Sequence, residues 1–278
     1  MPEESRALVV IDLQNEFLDS QGRFPILQSS KTTLLANLAL LVPEFRKAGG
    51  HVIWIKSIYK NDNTNATVSQ LEADLNSLDV SSEQGEPNST RETWLAGTHR
   101  GSTPCCPQGS LNAELYPEVA SHVLEGVDSV IIKTFFSAFT ETSLLQTFRN
   151  NSVKDVFICG LYSSTCVLAT IRDAVQIPGF NIYAVRDCLG WRYDRSHRRA
   201  LERFQDLGVR VVDHSFAIQE NLASPTLTIP ELYYVNGSIP SWRVHIALYE
   251  KVQHLFNNNP FSFSFSFLSI LYFYRVSK

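Results

Sequence analysis

Several things that would assign a role at once are missing from this sequence. No run of ~18 apolar residues occurs, so no segment reads as a membrane-spanning helix. No cluster of Lys and Arg marks a nucleic-acid surface, and the net charge is −4. No CxxC spacing suggests a zinc site. The five cysteines are an odd number, and Cys105 and Cys106 are neighbours that would make a poor ordinary crosslink. A reducing compartment is therefore expected. The opening MPEESR is acidic, and the apolar run after it is short, which reads as no secretory signal. The expected location is cytoplasmic. What is present suits a globular chain with a sizeable core: 278 residues, 44% hydrophobic and 19% charged.

Three short stretches carry chemistry. The first is Val156–Ala174. The apolar run VFICG reads as a buried strand stopped by Gly160. A small polar turn, Tyr162-Ser163-Ser164-Thr165, follows it. Cys166 then opens a helical pattern, with Val167, Thr170, Ile171 and Ala174 at spacings of three and four. Unpaired N–H groups at a helix start carry partial positive charge, favour a thiolate and can hold an oxyanion. A cysteine among apolar residues is more often a small core side chain. Two charged residues in the same kind of position change that balance. Asp12 ends the apolar run ALVVI, and Lys133 ends SVII. Either alone is an ordinary solvated charge. Parallel sheets, however, bind ligands outside the carboxyl ends of their strands, which would bring Asp12, Lys133 and Cys166 to one crevice.

Strands are expected at 7–11, 51–55, 127–132, 155–159, 181–185 and 209–212. Helices are expected at 31–48, 140–150 and 195–207 between them. This alternation predicts a three-layer α/β/α fold with a six-stranded parallel sheet, Rossmann-like. Right-handed crossovers with one reversal after the third strand give the order 3-2-1-4-5-6.

Residues 60–110 are rich in Asn, Ser, Thr and Gly and read mostly as loop, with one short helix at 66–78. So long a loop in a compact domain is usually functional or disordered. Beyond residue 217 the pattern changes. An amphipathic helix is plausible at 241–256, and the Phe/Ser alternation at 261–274 suggests a strand with one apolar face or an aggregation-prone segment. The chain is accordingly divided into a domain at 1–217 and an extension at 218–278 with no assigned role in chemistry.

The segments VVIDLQNEF (9–17), PQGSLNAELYPEV (107–119), KTFFSAFTETSL (133–144), CGLYSSTCVLATIRDA (159–174), NIYAVRDCLGWR (181–192) and LGVRVVDHSFA (207–217) occur in an order that resembles the isochorismatase-like cysteine hydrolases. That superfamily includes isochorismatases, nicotinamidases, N-carbamoylsarcosine amidases and ureidoacrylate amidases. The resemblance implies the same sheet order, a small-molecule substrate, homo-oligomers, and catalysis by Asp12, Lys133 and Cys166. It implies an oxyanion hole of the backbone N–H groups of Tyr162 and Cys166, and a cis peptide between Leu161 and Tyr162. Candidates to line the pocket are Gln14 and Phe17 after Asp12, Phe139 after Lys133, and Trp94, Arg100 and Gln108 in the long segment. Metal-binding members carry an Asp and two His just after the second strand. WIKSIYKNDNTNA has none of these histidines, so no metal and no other cofactor is expected, which argues against nicotinamidase.

On this reading Lys133 and the helix start favour the Cys166 thiolate, and Asp12 carries the proton. Hydrolysis of an amide or ureide through a thioester is the leading expectation. Isochorismate hydrolysis, which needs the acid and no thiol, is the first alternative. A member without turnover that acts as a binding protein is the second.

Overall fold

The structure is a computed structural model that describes residues 5–59 and 105–219. The expected helices at 66–78 and 241–256, the Phe/Ser-rich stretch, Trp94 and Arg100 lie outside those residues. The described elements alternate. In order they are β1 (Ser5–Ile11), α1 (Asn15–Leu18), α2 (Gln28–Lys47), β2 (His51–Ser57), a 3-10 turn (Leu111–Ala113), α3 (Pro117–Ala120), β3 (Ser129–Lys133) and α4 (Leu144–Asn150). They continue with β4 (Val153–Gly160), a single π turn (Ser163–Val167), α5 (Leu168–Gln176), β5 (Asn181–Leu189), α6 (Asp194–Asp206), β6 (Arg210–Val212) and α7 (His214–Gln219). The six strands are all parallel, in the order β3-β2-β1-β4-β5-β6, as the alternation implied.

The run ALVVI is apolar throughout because β1 is central: it pairs with β2 on one side and β4 on the other, and each of those residues is buried. Connections leave β1 and β4 in opposite directions, so right-handed crossovers put α2 on one face and α5 and α6 on the other. On the first face Phe45 of α2 meets Phe157 of β4 edge-on at 5.5 Å. α2 ends as its double glycine suggested. Gly49 takes φ 80°, its N–H bonds Arg46 O at 2.9 Å, and the Gly50 N–H bonds Phe45 O at 3.0 Å. On the other face Val167, Thr170, Ile171 and Ala174 are all buried, the stripe their spacing described. The helix expected from residue 140 starts only at Leu144. The Leu144 N–H bonds the Thr142 hydroxyl at 3.2 Å, a side-chain turn in place of a first helical turn.

One contact sets the site. Gly160, at the end of β4, lies so close to β1 that a Cβ there would stand 2.1 Å from Ile11 O. Its φ of 110° is open only to glycine. The Leu161 N–H then bonds Ile11 O at 2.8 Å, so β4 ends against the residue that precedes Asp12. This is where the strand order reverses, the place where open α/β sheets bind ligands.

Candidate active site

Asp12 leaves β1 in a left-handed conformation, φ 56°. Asp is one of the few side chains that tolerate this, and the strain of about 1–3 kcal/mol persists only where neighbours enforce it. Here they do: the Asp12 N–H bonds Ile55 O at 2.9 Å, and its carbonyl accepts the Gln14 N–H at 2.8 Å. The carboxylate is 1% exposed.

Lys133 ends β3 and is as deeply buried. Its Nζ lies 2.9 Å from Asp12 Oδ2, a close ion pair without the angle of a directed hydrogen bond. It donates to Ser57 Oγ at 2.7 Å and to Phe135 O at 3.1 Å. The Ser57 hydroxyl in turn donates to Asp12 Oδ1 at 3.0 Å. Ser57 is the polar end of β2 and pairs with Lys133 in the sheet register. The sequence reading passed over it, although the signal was the one that exposed Asp12 and Lys133: a polar residue closing an apolar run.

Gln14 has a different task from the substrate contact expected of it. Its amide donates to Ser57 O at 2.8 Å and to Ala113 O at 2.7 Å, and its Oε1 accepts the Ser57 N–H at 2.8 Å. Both amide hydrogens are thus committed to backbone. Gln14 is a buried strut that fixes the end of β2.

Cys166 lies in the π turn, just before α5 rather than at the head of a regular helix. The N–H groups of Thr165 and Val167 both turn back to Tyr162 O at 3.1 Å, which widens this turn. Thr170 fastens it to the segment after Lys133: its hydroxyl donates to Cys166 O at 2.7 Å and accepts the Ala138 N–H at 3.0 Å. Cys166, 3% exposed, is close enough to Asp12 and Lys133 for both charges to act on its thiol. The cis peptide expected between Leu161 and Tyr162 is absent, as it is among all described residues. With this bond trans, the flanking groups are satisfied: Leu161 N–H on Ile11 O and Ser163 N–H on Gly190 O at 3.0 Å.

The charge state differs from the thiolate that the sequence suggested. Burial pushes the Cys166 thiol well above its usual range; Lys133 pulls it down, but burial and the Asp12 carboxylate together outweigh the lysine. For Lys133 burial presses the ammonium down, yet Asp12 and Cys166 oppose it and the net shift is upward. At rest the thiol is thus protonated beside a charged lysine. The sequence could place a cation near the sulfur but not reveal how deeply the sulfur was buried.

The remaining candidates are scattered. Phe17 is buried with its ring edge-on to Tyr162 at 5.3 Å. The Tyr162 hydroxyl reaches Phe24 O. Phe139 is half-buried and meets Phe148 at 5.8 Å. Gln108 is exposed on the turn before Ser110. Sequence reasoning did not single out His197 of α6, whose Nδ1 lies 3.0 Å from Ser163 Oγ and whose ring stacks on Trp191 at 3.9 Å. Burial holds this imidazole down to about 4, with Asp194 opposing, so it is neutral near pH 7. Among the described residues no three or more His, Cys, Asp or Glu side chains gather as metal donors would.

A doubly wound sheet whose reversal point gathers a carboxylate, an ammonium and a thiol belongs to the class of α/β cysteine hydrolases. More narrowly, the chain is a member of the isochorismatase family, whose Isochorismatase domain model matches residues 6–215. It is 25% identical over 204 residues to a probable inactive nicotinamidase of Arabidopsis thaliana, covering 73% of this chain and 90% of that one. It is 26% identical over 192 residues to the ureidoacrylate amidohydrolase RutB of Cronobacter sakazakii, covering 65% and 72%. An isochorismatase family protein from Desulfovibrio vulgaris has the same fold, with TM-score 0.61 and 18% identity over 80% of this chain and 100% of that one.

Proposed function

We propose that this hydrolase cleaves the C–N bond of a small amide or ureide, with Cys166 as nucleophile, Asp12 as proton carrier and Lys133 as the fixed cation between them. The observation that carries the reading is a buried Asp12–Lys133 ion pair at 2.9 Å that acts electrostatically on one buried thiol. A thiol has no task in protonating an enol ether, whereas an acyl transfer needs one. The Cronobacter relative, named for ureidoacrylate, supports the same bond class.

Because the resting sulfur is protonated, attack and proton transfer go together. The thiol proton passes to Asp12 as sulfur bonds the substrate carbonyl carbon. The tetrahedral oxyanion is assigned to the backbone N–H groups of Tyr162 and Cys166. As the intermediate collapses, the C–N bond breaks and Asp12 gives its proton to the leaving nitrogen. A thioester remains. Water attacks it and yields a proton to Asp12, the C–S bond breaks, and the sulfur recovers a proton from Asp12. Lys133 keeps its charge throughout and offsets negative charge as it moves between sulfur and carboxylate.

The test is turnover of a panel of ureides, primary amides and isochorismate by the wild type, Cys166→Ala and Asp12→Asn. Both variants should lose at least ~1000-fold in amide or ureide turnover, since each removes a whole catalytic role. Mass spectrometry should find an acyl adduct on Cys166 of the wild type. Isochorismate turnover that survives Cys166→Ala and fails with Asp12→Asn would replace this reading with enol-ether hydrolysis. A folded wild type that is inert on the whole panel would point to a binding protein without turnover.

A further inference from the structure

We infer that Ser57 is a positioning residue that decides which oxygen of Asp12 carries the proton. The inference rests on the C–N hydrolysis proposed above and adds a residue to it. A free carboxylate has two equivalent oxygens. In this site they are made different by one hydroxyl.

The donors and acceptors leave a single arrangement. An ammonium only donates, so along the 2.7 Å contact the Ser57 oxygen accepts from Lys133. A carboxylate only accepts, so along the 3.0 Å contact the Ser57 hydrogen points to Asp12 Oδ1. Ser57 is fully buried, so bulk water does not compete for the hydroxyl. Asp12 Oδ1 is therefore committed. Oδ2 is buried, lies 2.9 Å from Lys133 Nζ and makes no directed hydrogen bond. It is the oxygen open to a proton from sulfur.

The same hydroxyl aims the lysine. Of its three N–H bonds, one goes to Ser57 Oγ and one to Phe135 O. One is left, with Asp12 Oδ2 2.9 Å from the nitrogen. Ser57 cannot drift from this post. Gln14 grips both its N–H and its carbonyl at 2.8 Å, and the Ile58 N–H bonds Lys133 O at 3.0 Å just beyond. The chain Gln14–Ser57–Asp12/Lys133 is thus a rigid support for the proton carrier, built from the last residue of β2. In both halves of the reaction the proton is taken up and released at Oδ2 while the Ser57 hydrogen stays on Oδ1.

The comparison that isolates the hydroxyl is Ser57→Thr against Ser57→Val, two variants of nearly equal shape, with Ser57→Ala as a third. Two readouts are taken on samples that melt cooperatively: steady-state turnover of the best amide or ureide substrate, and alkylation of Cys166 by iodoacetamide, which needs no substrate. For Ser57→Val and Ser57→Ala, kcat should fall about 100-fold with KM within about threefold, the signature of a misplaced proton carrier rather than a lost binding contact. Alkylation should slow by about tenfold or more. Ser57→Thr should recover most of both losses. If Val and Thr behave alike in alkylation, or in turnover of a substrate that the wild type accepts, the hydroxyl does not position Asp12 and the inference is overturned. If alkylation follows the hydroxyl but no amide or ureide is turned over even by the wild type, the Ser57 assignment stands and the proposed substrate class falls.

Discussion

At the scale of single residues, the site is made by side chains that complete apolar strands, and that rule was only partly visible in the sequence. Asp12 and Lys133 stood out because a charge after a buried run is conspicuous. Ser57 follows the same rule but a serine at a strand end is ordinary, so its place between the two charges emerged only from the β2–β3 register. Gln14 was illegible for another reason: its partners Ser57 and Ala113 are 43 and 99 residues away. Gly160 was read as a strand stop, yet its larger role is to let β4 close on β1. A Gly160→Ala substitution meets two penalties, a left-handed φ costing about 1–3 kcal/mol and a backbone clash costing about 1–3 kcal/mol more. We expect the urea midpoint to fall by an amount equivalent to about 2–6 kcal/mol, with turnover reduced because β4 leads into the Cys166 turn. A wild-type midpoint in that variant would mean the β1–β4 approach is looser than described.

At the scale of elements, the stripe of α5 was legible from its spacing, whereas the turn that feeds it was not. Cys166 does not ride on the first turn of α5. It sits in one wider turn, whose i-to-i+5 bond from Val167 N–H to Tyr162 O no periodicity announces. That turn is held from outside by α6 through His197 and Ser163. The imidazole is neutral in the folded chain because burial holds it down to about 4, below its unfolded value of about 6.5. The unfolded chain therefore binds the extra proton first. The His197 contribution is complete above about pH 6.5 and is lost as pH falls toward 4. Asp128 and Asp213, both held below the ordinary carboxylate range, lose their contributions only at lower pH. For Asp128 burial works against its hydrogen bonds from Arg46, Leu124 and Trp54, which prevail; for Asp213 the Arg186 hydrogen bond leads. Thermal melts between pH 7 and 5 should thus slope downward in the wild type and be flatter in His197→Asn, which keeps a polar atom near Ser163. Equal slopes would remove His197 as their cause.

At the scale of the whole molecule, sheet order and layer arrangement were readable because a parallel α/β fold writes itself twice, in the alternation of patterns and in fully apolar strands buried on both faces. Among the described residues the six strands are in place by Val212, and the family match ends at 215. The last described helix is well fastened. Asp187, on β5, accepts the His214 N–H at 2.8 Å and meets His214 Nδ1 at 2.6 Å, while Arg186 holds Asp213 at 2.6 and 2.8 Å. α7 also packs on α2, closing the first helical layer. None of Asp12, Ser57, Lys133 or Cys166 depends, through any contact named above, on a residue beyond 219. A chain ending at Gln219 should therefore unfold in one cooperative step, and its Cys166 should alkylate at the full-length rate within about twofold, since the contacts named above that hold the site all lie within the retained residues. Loss of the cooperative transition in the shortened chain would place part of the core in residues 220–278. Retention of the transition with slower alkylation would instead make those residues a support of the site.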